Sequence, residues 1–247
     1  MIRGIVLNLD QMIKVRFLVI SPTDGEEWRQ SMKKIVIAGP PRSGKSCMRE
    51  GLKQAIRAIP GAPYPYIITA CPDGEGSWFQ ATVNADPALA AACKAAYKAK
   101  FTSAFVARLA DYVRDCSEPL TMVDIGGIPS KENREICACA THIMILMPTG
   151  MAPDKFQELQ HAYQICGLPV PQNLDEVKAS WQEFSNVLGL AVTADIVSDY
   201  HGTEDKVAGT GQDGIFRGSV HYLERGEPAQ ERPMVRALAE HIVALCK

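Results

Sequence analysis

The residues best suited to chemistry lie between positions 39 and 46, where the sequence reads GPPRSGKS. This stretch fits the pattern G-x-x-x-x-G-K-[ST], in which a glycine-rich turn holds the phosphate chain of a nucleotide. Gly39 and Gly44 permit backbone conformations that a side chain would block, so N–H groups of the turn can point at phosphate oxygens. The predicted nucleotide-binding residues are Gly39, Pro40, Pro41, Arg42, Ser43, Gly44, Lys45 and Ser46.

Two side chains of this segment have individual roles in the prediction. Lys45 is placed to reach the β- and γ-phosphates and to stabilise the charge of a transferring phosphoryl group. The Ser46 hydroxyl is placed to bind Mg²⁺. Arg42 fits equally well in contact with phosphate or facing solvent. ATP and Mg²⁺ are therefore the expected cofactors.

An aspartate at the end of an apolar segment is the next candidate. Asp124 follows apolar residues 120–123 and precedes Gly126 and Gly127. A carboxylate at the end of a core strand is costly unless a cation compensates it, so we predict that Asp124 and Ser46 hold Mg²⁺. The alternative is that Asp124 only caps the following turn. The segment also fits D-x-x-G, in which the Gly127 N–H group would sense a γ-phosphate.

An acidic loop follows the second predicted strand, in the sequence CPDGEGSW at positions 71–78. In phosphoryl transfer a carboxylate orients the acceptor hydroxyl and takes its proton. We predict this catalytic role for Asp73, with Glu75 as the second choice. The alternative is that the Asp-Gly and Glu-Gly pairs only supply turn residues.

Residues 199–218 are rich in glycine and aspartate and are predicted to be a loop. One interpretation is a lid in which Lys206 or Arg217 acts as a mobile cation during phosphoryl transfer. The other is a flexible surface loop with no part in the chemistry.

Alternating strand and helix patterns surround these candidates. Strands that alternate with helices form a mostly parallel sheet with helices on both faces, and ligands bind at the carboxyl ends of its strands. The predicted fold class is α/β, a P-loop NTPase with a mostly parallel five-stranded sheet. The loops that begin at residues 39, 71, 124 and 199 should then meet in one cleft. Strands are predicted at residues 35–38, 66–69, 120–124, 143–147 and 190–197. A helix is predicted after residue 46, and an Ala-rich helical stretch is predicted to be divided at Thr102. Further helices are predicted at residues 130–140, 151–166, 174–188 and 233–246.

Two segments of the chain differ in character. Residues 1–31 are predicted to be an N-terminal extension, either a β-hairpin or an irregular lead-in. Residues 32–247 are predicted to be one nucleotide-binding domain, since a chain of 247 residues fits a single α/β domain with an insertion.

Composition limits the classes of function. The formal net charge is −2 and no basic patch stands out, so an extended nucleic-acid surface is not expected. Because no apolar run reaches about 18 residues, no membrane span is expected. The eight cysteines are dispersed without a C-x-x-C pair, which favours reduced thiols in a cytoplasmic protein over a zinc site.

Several longer segments resemble a known family. The sequence GPPRSGKSCMREGLKQAIRAIP, followed by PYPYIITACPDGEGSWFQ, LTMVDIGGIPSKENREICACATH, SDYHGTED and RGSVHYLERG, resembles the P-loop kinase-like (AAA-type) domain associated with a CRISPR ring-nuclease family. The resemblance covers about residues 32–247. It implies ATP-type chemistry, a type III CRISPR context and a ring-nuclease partner. Residues 1–31 are too few for the nuclease domain often fused ahead in that family, so only the P-loop residues and Asp124 are carried over.

Three hypotheses follow for the function. The first is a phosphotransferase of nucleotide-kinase-like architecture, acting on a second nucleotide or a short oligonucleotide. The alternative is a nucleotide-dependent ATPase switch that binds a partner protein and needs no phosphoryl acceptor. The third is a P-loop kept only as a scaffold, against which the intact Lys45 and Ser46 argue. A homodimer is compatible with the first two.

Overall fold

The sheet forms around a strand, β1 (Lys33–Ala38), whose apolar side chains are buried on both faces. Its residues 35–38 are at most 1% exposed. A short, continuous apolar run is what a central strand of a parallel sheet requires, because helices cover both of its faces. The segment therefore becomes the centre of the fold.

The computed structural model describes residues 32–71 and 102–247. Within these ranges the other strands are β2 (Pro65–Ala70), β3 (Leu120–Ile125), β4 (His142–Pro148), β5 (Ala191–Asp199), β6 (Lys206–Thr210) and β7 (Phe216–His221). They form one sheet in the order β2-β3-β1-β4-β5-β7-β6. All neighbouring pairs are parallel except β6 with β7, which is antiparallel. The described part of the chain is thus α/β with a mostly parallel sheet, as predicted.

Helices cover the sheet in two layers. Within the described residues they are α1 (Lys45–Arg57), α2 (Ser103–Asp115), α3 (Lys131–Ile136), α4 (Pro153–Ile165), α5 (Leu174–Leu188) and α6 (Pro233–Leu245), with a 3₁₀ turn at Ala229–Glu231. Helices α1 and α6 share one apolar core, and α2 to α5 share another. Side chains of β1 alternate between them: Ile35 and Ile37 face the first layer, and Val36 and Ala38 face the second.

Helix α5 illustrates how local sequence sets an element. Asn173 caps its N-terminus by accepting a hydrogen bond from the Glu176 N–H group at 2.9 Å, and Gly189 ends it with a φ of 64°. Trp181 and Phe184 are fully buried, and their rings meet edge to face at 5.4 Å. The predicted helix at 174–188 is therefore confirmed to the residue.

The prediction of five strands is wrong, because the sheet has seven. Of the additional strands, β6 lies within the segment predicted to be a loop, residues 199–218, and β7 begins within it and ends at His221. Glycine-rich, half-exposed strands give a weak local signal, and pairing with β5 and with each other decides their structure. The hairpin between them turns at residues 211–215, where Gly214 has a φ of 77°.

Some predictions fall outside the described residues. These are the extension at residues 1–31, the acidic loop with Asp73 and Glu75, and the Ala-rich stretch before Thr102. Thr102 itself caps α2, since its hydroxyl accepts a hydrogen bond from the Phe105 N–H group at 3.2 Å. None of the helices in residues 32–71 and 102–247 is long and apolar enough to cross a membrane.

The core under α5 gives a test of this packing. Replacing Phe184 by alanine should lower the free energy of unfolding by about 3–5 kcal/mol, because it leaves a cavity against Trp181. Urea denaturation measures the change. The matched control is Val187→Ala on the same helix, at a side chain 55% exposed, with an expected effect within about 0.5 kcal/mol. Equal losses for both variants would contradict the two-layer packing.

Candidate functional site

The glycine-rich loop, residues 39–44, joins the end of β1 directly to the start of α1. Gly39 has a φ of 141°, and a Cβ atom built on it would lie 2.1 Å from the Leu146 carbonyl oxygen at the end of β4. Gly44 has a φ of 85° and caps α1 in the left-handed region. Both glycines are therefore required by the local geometry, one by close approach and the other by its backbone angle.

The N-terminus of α1 has no side-chain cap and no acidic residue in its first turn. Helices α2, α3 and α5, in contrast, are capped by Thr102, Ser130 and Asn173. The N–H groups of the first turn of a helix lack intrahelical partners, and the helix dipole makes this end positive. The loop and the start of α1 thus present backbone donors to the same place, an arrangement suited to an anion.

Lys45, the first residue of α1, folds back over the loop. Its ammonium group donates hydrogen bonds to the carbonyl oxygens of Gly39 and Pro40, each at 2.9 Å. The charge is thereby held at the loop and not extended into solvent. This is the position from which a lysine can reach a phosphate chain seated on the loop.

Arg42 occupies the outer part of the loop with a φ of 66°, uncommon for a residue with a side chain. Its guanidinium group lies 3.8 Å from the Glu158 carboxylate, and both side chains are more than 60% exposed. An ion pair so exposed contributes little stability. Arg42 also lines the cleft beside the loop. Its side chain is therefore both exposed to solvent and next to the predicted phosphate site, so the two predicted alternatives stay open.

Asp124 lies beside the loop because β3 pairs with β1, with Asp124 opposite Ile37 in the register. Its neighbour two residues back, Met122, belongs to the α1–α6 core, so Asp124 points towards α1. There its carboxylate accepts a hydrogen bond from the Arg49 guanidinium at 2.9 Å. The two side chains are 5% and 0% exposed, so the pair is buried beneath the start of α1.

The Arg49–Asp124 pair changes the reasoning about Asp124. The sequence argument held that a buried carboxylate at this place needs a cation, and Arg49 supplies one. The case for a metal ion then rests on position: Ser46 and Asp124 line the same cleft and offer a hydroxyl and a carboxylate oxygen. Such oxygen donors fit Mg²⁺, which keeps several of its waters and takes few protein ligands.

The turn after β3 packs tightly against the glycine-rich loop. A Cβ atom built on Gly127 would lie 2.5 Å from the Pro41 nitrogen. The Asn133 side-chain amide fixes the turn by donating hydrogen bonds to the carbonyl oxygens of Gly126, at 3.3 Å, and Ile128, at 2.7 Å. The D-x-x-G segment is therefore packed directly against the glycine-rich loop.

These elements enclose a cleft of about 510 Å³ at the carboxyl edge of the sheet. Its volume falls in the range of small-molecule sites. Of the four loops predicted to meet there, those after β1 and β3 do so, and the loop after β2 contributes Cys71, its only described residue. The lining residues are Pro41, Arg42, Gly44, Lys45, Ser46, Cys47, Cys71, Asp124, Ile125, Gly127, Leu223 and Arg225.

The fourth predicted loop, at residues 199–218, does not line this cleft. Lys206 begins β6 and lies 3.8 Å from Glu204 at the surface, and Arg217 in β7 pairs with Asp213 at 2.6 Å. That hydrogen-bonded guanidinium lowers the pKa of Asp213 to about 2. The structure therefore does not place Lys206 and Arg217 at the cleft, as the lid interpretation requires. Leu223 and Arg225, from the segment after β7, line the cleft instead.

A second cleft, of about 500 Å³, lies beside β2 and α2. The Tyr66 and Tyr112 hydroxyl groups meet there at 3.3 Å, and this hydrogen bond is the main cause that raises the pKa of Tyr66 to about 12. Among residues 32–71 and 102–247, its lining includes neither a glycine-rich loop nor the first turn of a helix. The cleft beside residues 39–46 is therefore the stronger candidate for a functional site.

Sequence reasoning missed three residues of the site. Arg49 lies within an amphipathic helix, where an arginine is ordinarily solvent-exposed. Leu223 and Arg225 follow a strand that was not predicted. The available signal was the alternation of Phe216, Gly218 and Val220, which marks a half-buried strand ending just before them.

Within residues 32–71 and 102–247, no three His, Cys, Asp or Glu side chains cluster as a metal-binding group. No protein-family model matches the chain, and no curated protein matches it.

The buried ion pair gives a test of the site's electrostatics. Arg49→Met and Asp124→Asn should each lower the free energy of unfolding by about 3 kcal/mol, because each leaves a buried charge without its main partner. The double variant should cost less than the sum, with a coupling of at least about 1 kcal/mol. Chemical denaturation of all four proteins measures this cycle.

The matched control is the same cycle on the exposed pair Asp111–Arg114, whose side chains are 59% and 55% exposed. Its coupling should stay below about 1 kcal/mol because solvent screens the charges. Additive effects of the Arg49 and Asp124 changes would contradict a direct buried interaction.

Proposed function

We propose that this protein is a P-loop phosphotransferase of nucleotide-kinase-like architecture, which binds ATP with Mg²⁺ and transfers the terminal phosphoryl group to a second nucleotide-type substrate. One observation carries the proposal: the glycine-rich loop, the uncapped N-terminus of α1, Lys45, Ser46 and Asp124 all meet at one cleft. This combination provides backbone donors, an ammonium group and oxygen ligands in the place where a phosphate chain would lie.

The sheet topology supports the proposal. Ligands of open α/β sheets bind outside the carboxyl ends of the strands, where the strand order reverses. Here β1 lies between β3 and β4, and the chain crosses from one side of β1 to the other between them. The glycine-rich loop leaves β1 at this crossing, with Asp124 beside it on β3.

The charges of the cleft favour a polyanion. Arg42, Lys45 and Arg225 are cationic, whereas the one described carboxylate of the lining, Asp124, is paired with Arg49. A cleft lined mainly by one sign of charge concentrates counter-ions of the other sign. An ATP phosphate chain has the matching charge.

The roles of the residues follow from their positions. Residues 39–44 and the first turn of α1 would hold the β- and γ-phosphates through backbone N–H groups, and Lys45 would exchange its carbonyl partners for phosphate oxygens. Ser46 and Asp124 would hold Mg²⁺, which neutralises part of the phosphate charge. Asp73 would orient the acceptor hydroxyl; it lies outside the described residues and keeps this role as a proposal.

The family resemblance supports a setting in type III CRISPR signalling. In this setting the acceptor would be a small nucleotide or a short oligoadenylate, and a ring nuclease would be the partner. Residues 32–247 carry this resemblance.

A second candidate function is a nucleotide-dependent ATPase switch. The observation in its favour is the tight contact of Gly127 with Pro41, through which a bound γ-phosphate could move the segment after β3. Such a switch would hydrolyse ATP slowly and bind a partner without needing an acceptor. Identical elution on size exclusion in the apo, ADP and ATP-analogue states would count against it.

Lys45→Ala should weaken binding of Mg²⁺ and an ATP analogue by on the order of a few kcal/mol, because it removes charge-assisted hydrogen bonds to phosphate. Isothermal titration calorimetry measures the affinity. The matched control is Lys53→Ala, a lysine of the same helix that pairs with Glu50 away from the cleft. Unchanged affinity of the Lys45 variant would instead favour a loop that serves only as scaffold.

Transfer itself can be tested with γ-labelled ATP, Mg²⁺ and a panel of nucleosides, nucleotides and short oligoadenylates. We expect label on one class of acceptor, and loss of that product in Lys45→Ala. Thin-layer chromatography separates labelled acceptor from free phosphate. Release of phosphate without any labelled acceptor would favour the ATPase switch over the phosphotransferase.

A further inference from the structure

We infer that Arg225 is a further nucleotide-binding residue, which contacts the phosphate chain from the segment that follows β7. The inference rests on the proposed function and extends it to a part of the chain far from the glycine-rich loop in sequence. For the argument, residues 221–227 are named the β7 exit segment.

The β7 exit segment lies directly against the glycine-rich loop. Leu223 is only 8% exposed, and its Cδ1 atom comes within 2.9 Å of a Cβ atom built on Gly44, the residue that caps α1. Arg225 follows two residues later, and two residues span at most about 7 Å of chain. Arg225 lines the same cleft as Lys45, Ser46 and Asp124.

The start of the segment is braced by two buried or partly buried side chains. Asp205, whose side chain is 2% exposed, accepts hydrogen bonds from the His221 backbone N–H group at 3.1 Å and from its Nδ1 at 2.7 Å. Arg232 donates to the carbonyl oxygens of His221 and Tyr222 and pairs with Glu227. The segment is thus tied to the turn before β6 and to the start of α6.

A second set of contacts fixes the residues next to Arg225. The Tyr222 N–H group donates to the Asp199 carbonyl oxygen at 3.0 Å, and the Tyr200 hydroxyl donates to the Glu224 carboxylate at 2.8 Å. That carboxylate raises the pKa of Tyr200 to about 12. Tyr222 has a φ of 39°, which is unfavourable for a bulky residue and persists only where the surroundings hold it.

The consequence is an arginine that is carried by a fixed backbone and has an exposed side chain at the cleft. An arginine keeps its charge at any physiological pH and can donate two parallel hydrogen bonds to a phosphate group. A braced backbone reduces the conformational entropy lost when the contact forms. These properties suit a residue that binds an anionic chain already seated on the loop.

The experiment compares wild type with Arg225→Ala on a series of ligands: adenosine, AMP, ADP and a non-hydrolysable ATP analogue, the last two with Mg²⁺. If Arg225 contacts the phosphate chain, Arg225→Ala should change the affinity for adenosine little. It should weaken the affinity for the triphosphate analogue about tenfold or more, as expected for loss of a charged hydrogen bond. Arg225→Lys should recover part of the loss, because it restores charge without the paired donors. Calorimetry gives each dissociation constant.

The control is Arg217→Ala, which removes an arginine of β7, the strand before the β7 exit segment, where it pairs with Asp213 away from the cleft. Arg217→Ala should leave the dissociation constants of all four ligands unchanged. Thermal unfolding midpoints should show that all variants fold. An equal loss for every ligand from adenosine to the triphosphate would mean that Arg225 stacks on the base, and no loss would mean no contact; either overturns the inference. If wild type binds none of the ligands, the proposed function itself fails, and this result is distinct from both.

Discussion

The parallel pairing of β1 with β3 on one side and β4 on the other is the constraint on which the candidate site depends. Parallel strands place their carboxyl ends at one edge, so the loop after β1, the turn after β3 and the end of β4 must meet there. Gly39 shows how close this meeting is, since a single added carbon would collide with the Leu146 carbonyl oxygen. The order of the strands therefore determines where the candidate site lies, and individual side chains determine its chemistry.

The sequence was sufficient where the decisive signal is local. Gly39 and Gly44 stand where the geometry of the loop requires glycine, and the cap and exit of α5 lie within a few residues of the helix they bound. The sequence was insufficient where structure depends on distant partners. Strand β7 pairs with β5, and β6 pairs with β7. The local sequence of these short strands does not predict such pairing, because it depends on residues distant in the chain.

The charged residues of the site show the same difference between local signals and distant partners. Asp124 could be placed at the end of a strand, but its partner could not be chosen, because Arg49 belongs to a different element and meets it only through the packing of α1 on β3. The same holds for Leu223 and Arg225, which reach the cleft because Asp205 and Arg232 brace their backbone. Sequence spacing could therefore place Asp124 at the end of its strand, but not the residues that reach the cleft from elements distant in sequence.

The sharing of one core between α1 and α6 bears on how the chain is made in the cell. The ribosome releases a chain from its N-terminus, yet the helix that carries Lys45 shares its core with α6, which follows all the other described helices and strands. Gly51 of α1 touches Ala229 just before α6, so closely that a Cβ atom built on it would lie 2.9 Å from the alanine methyl group. During translation the glycine-rich loop emerges before α6, so its supporting helix stays without this cover until α6 has been made. The core beneath the loop is therefore completed only when α6 has joined it.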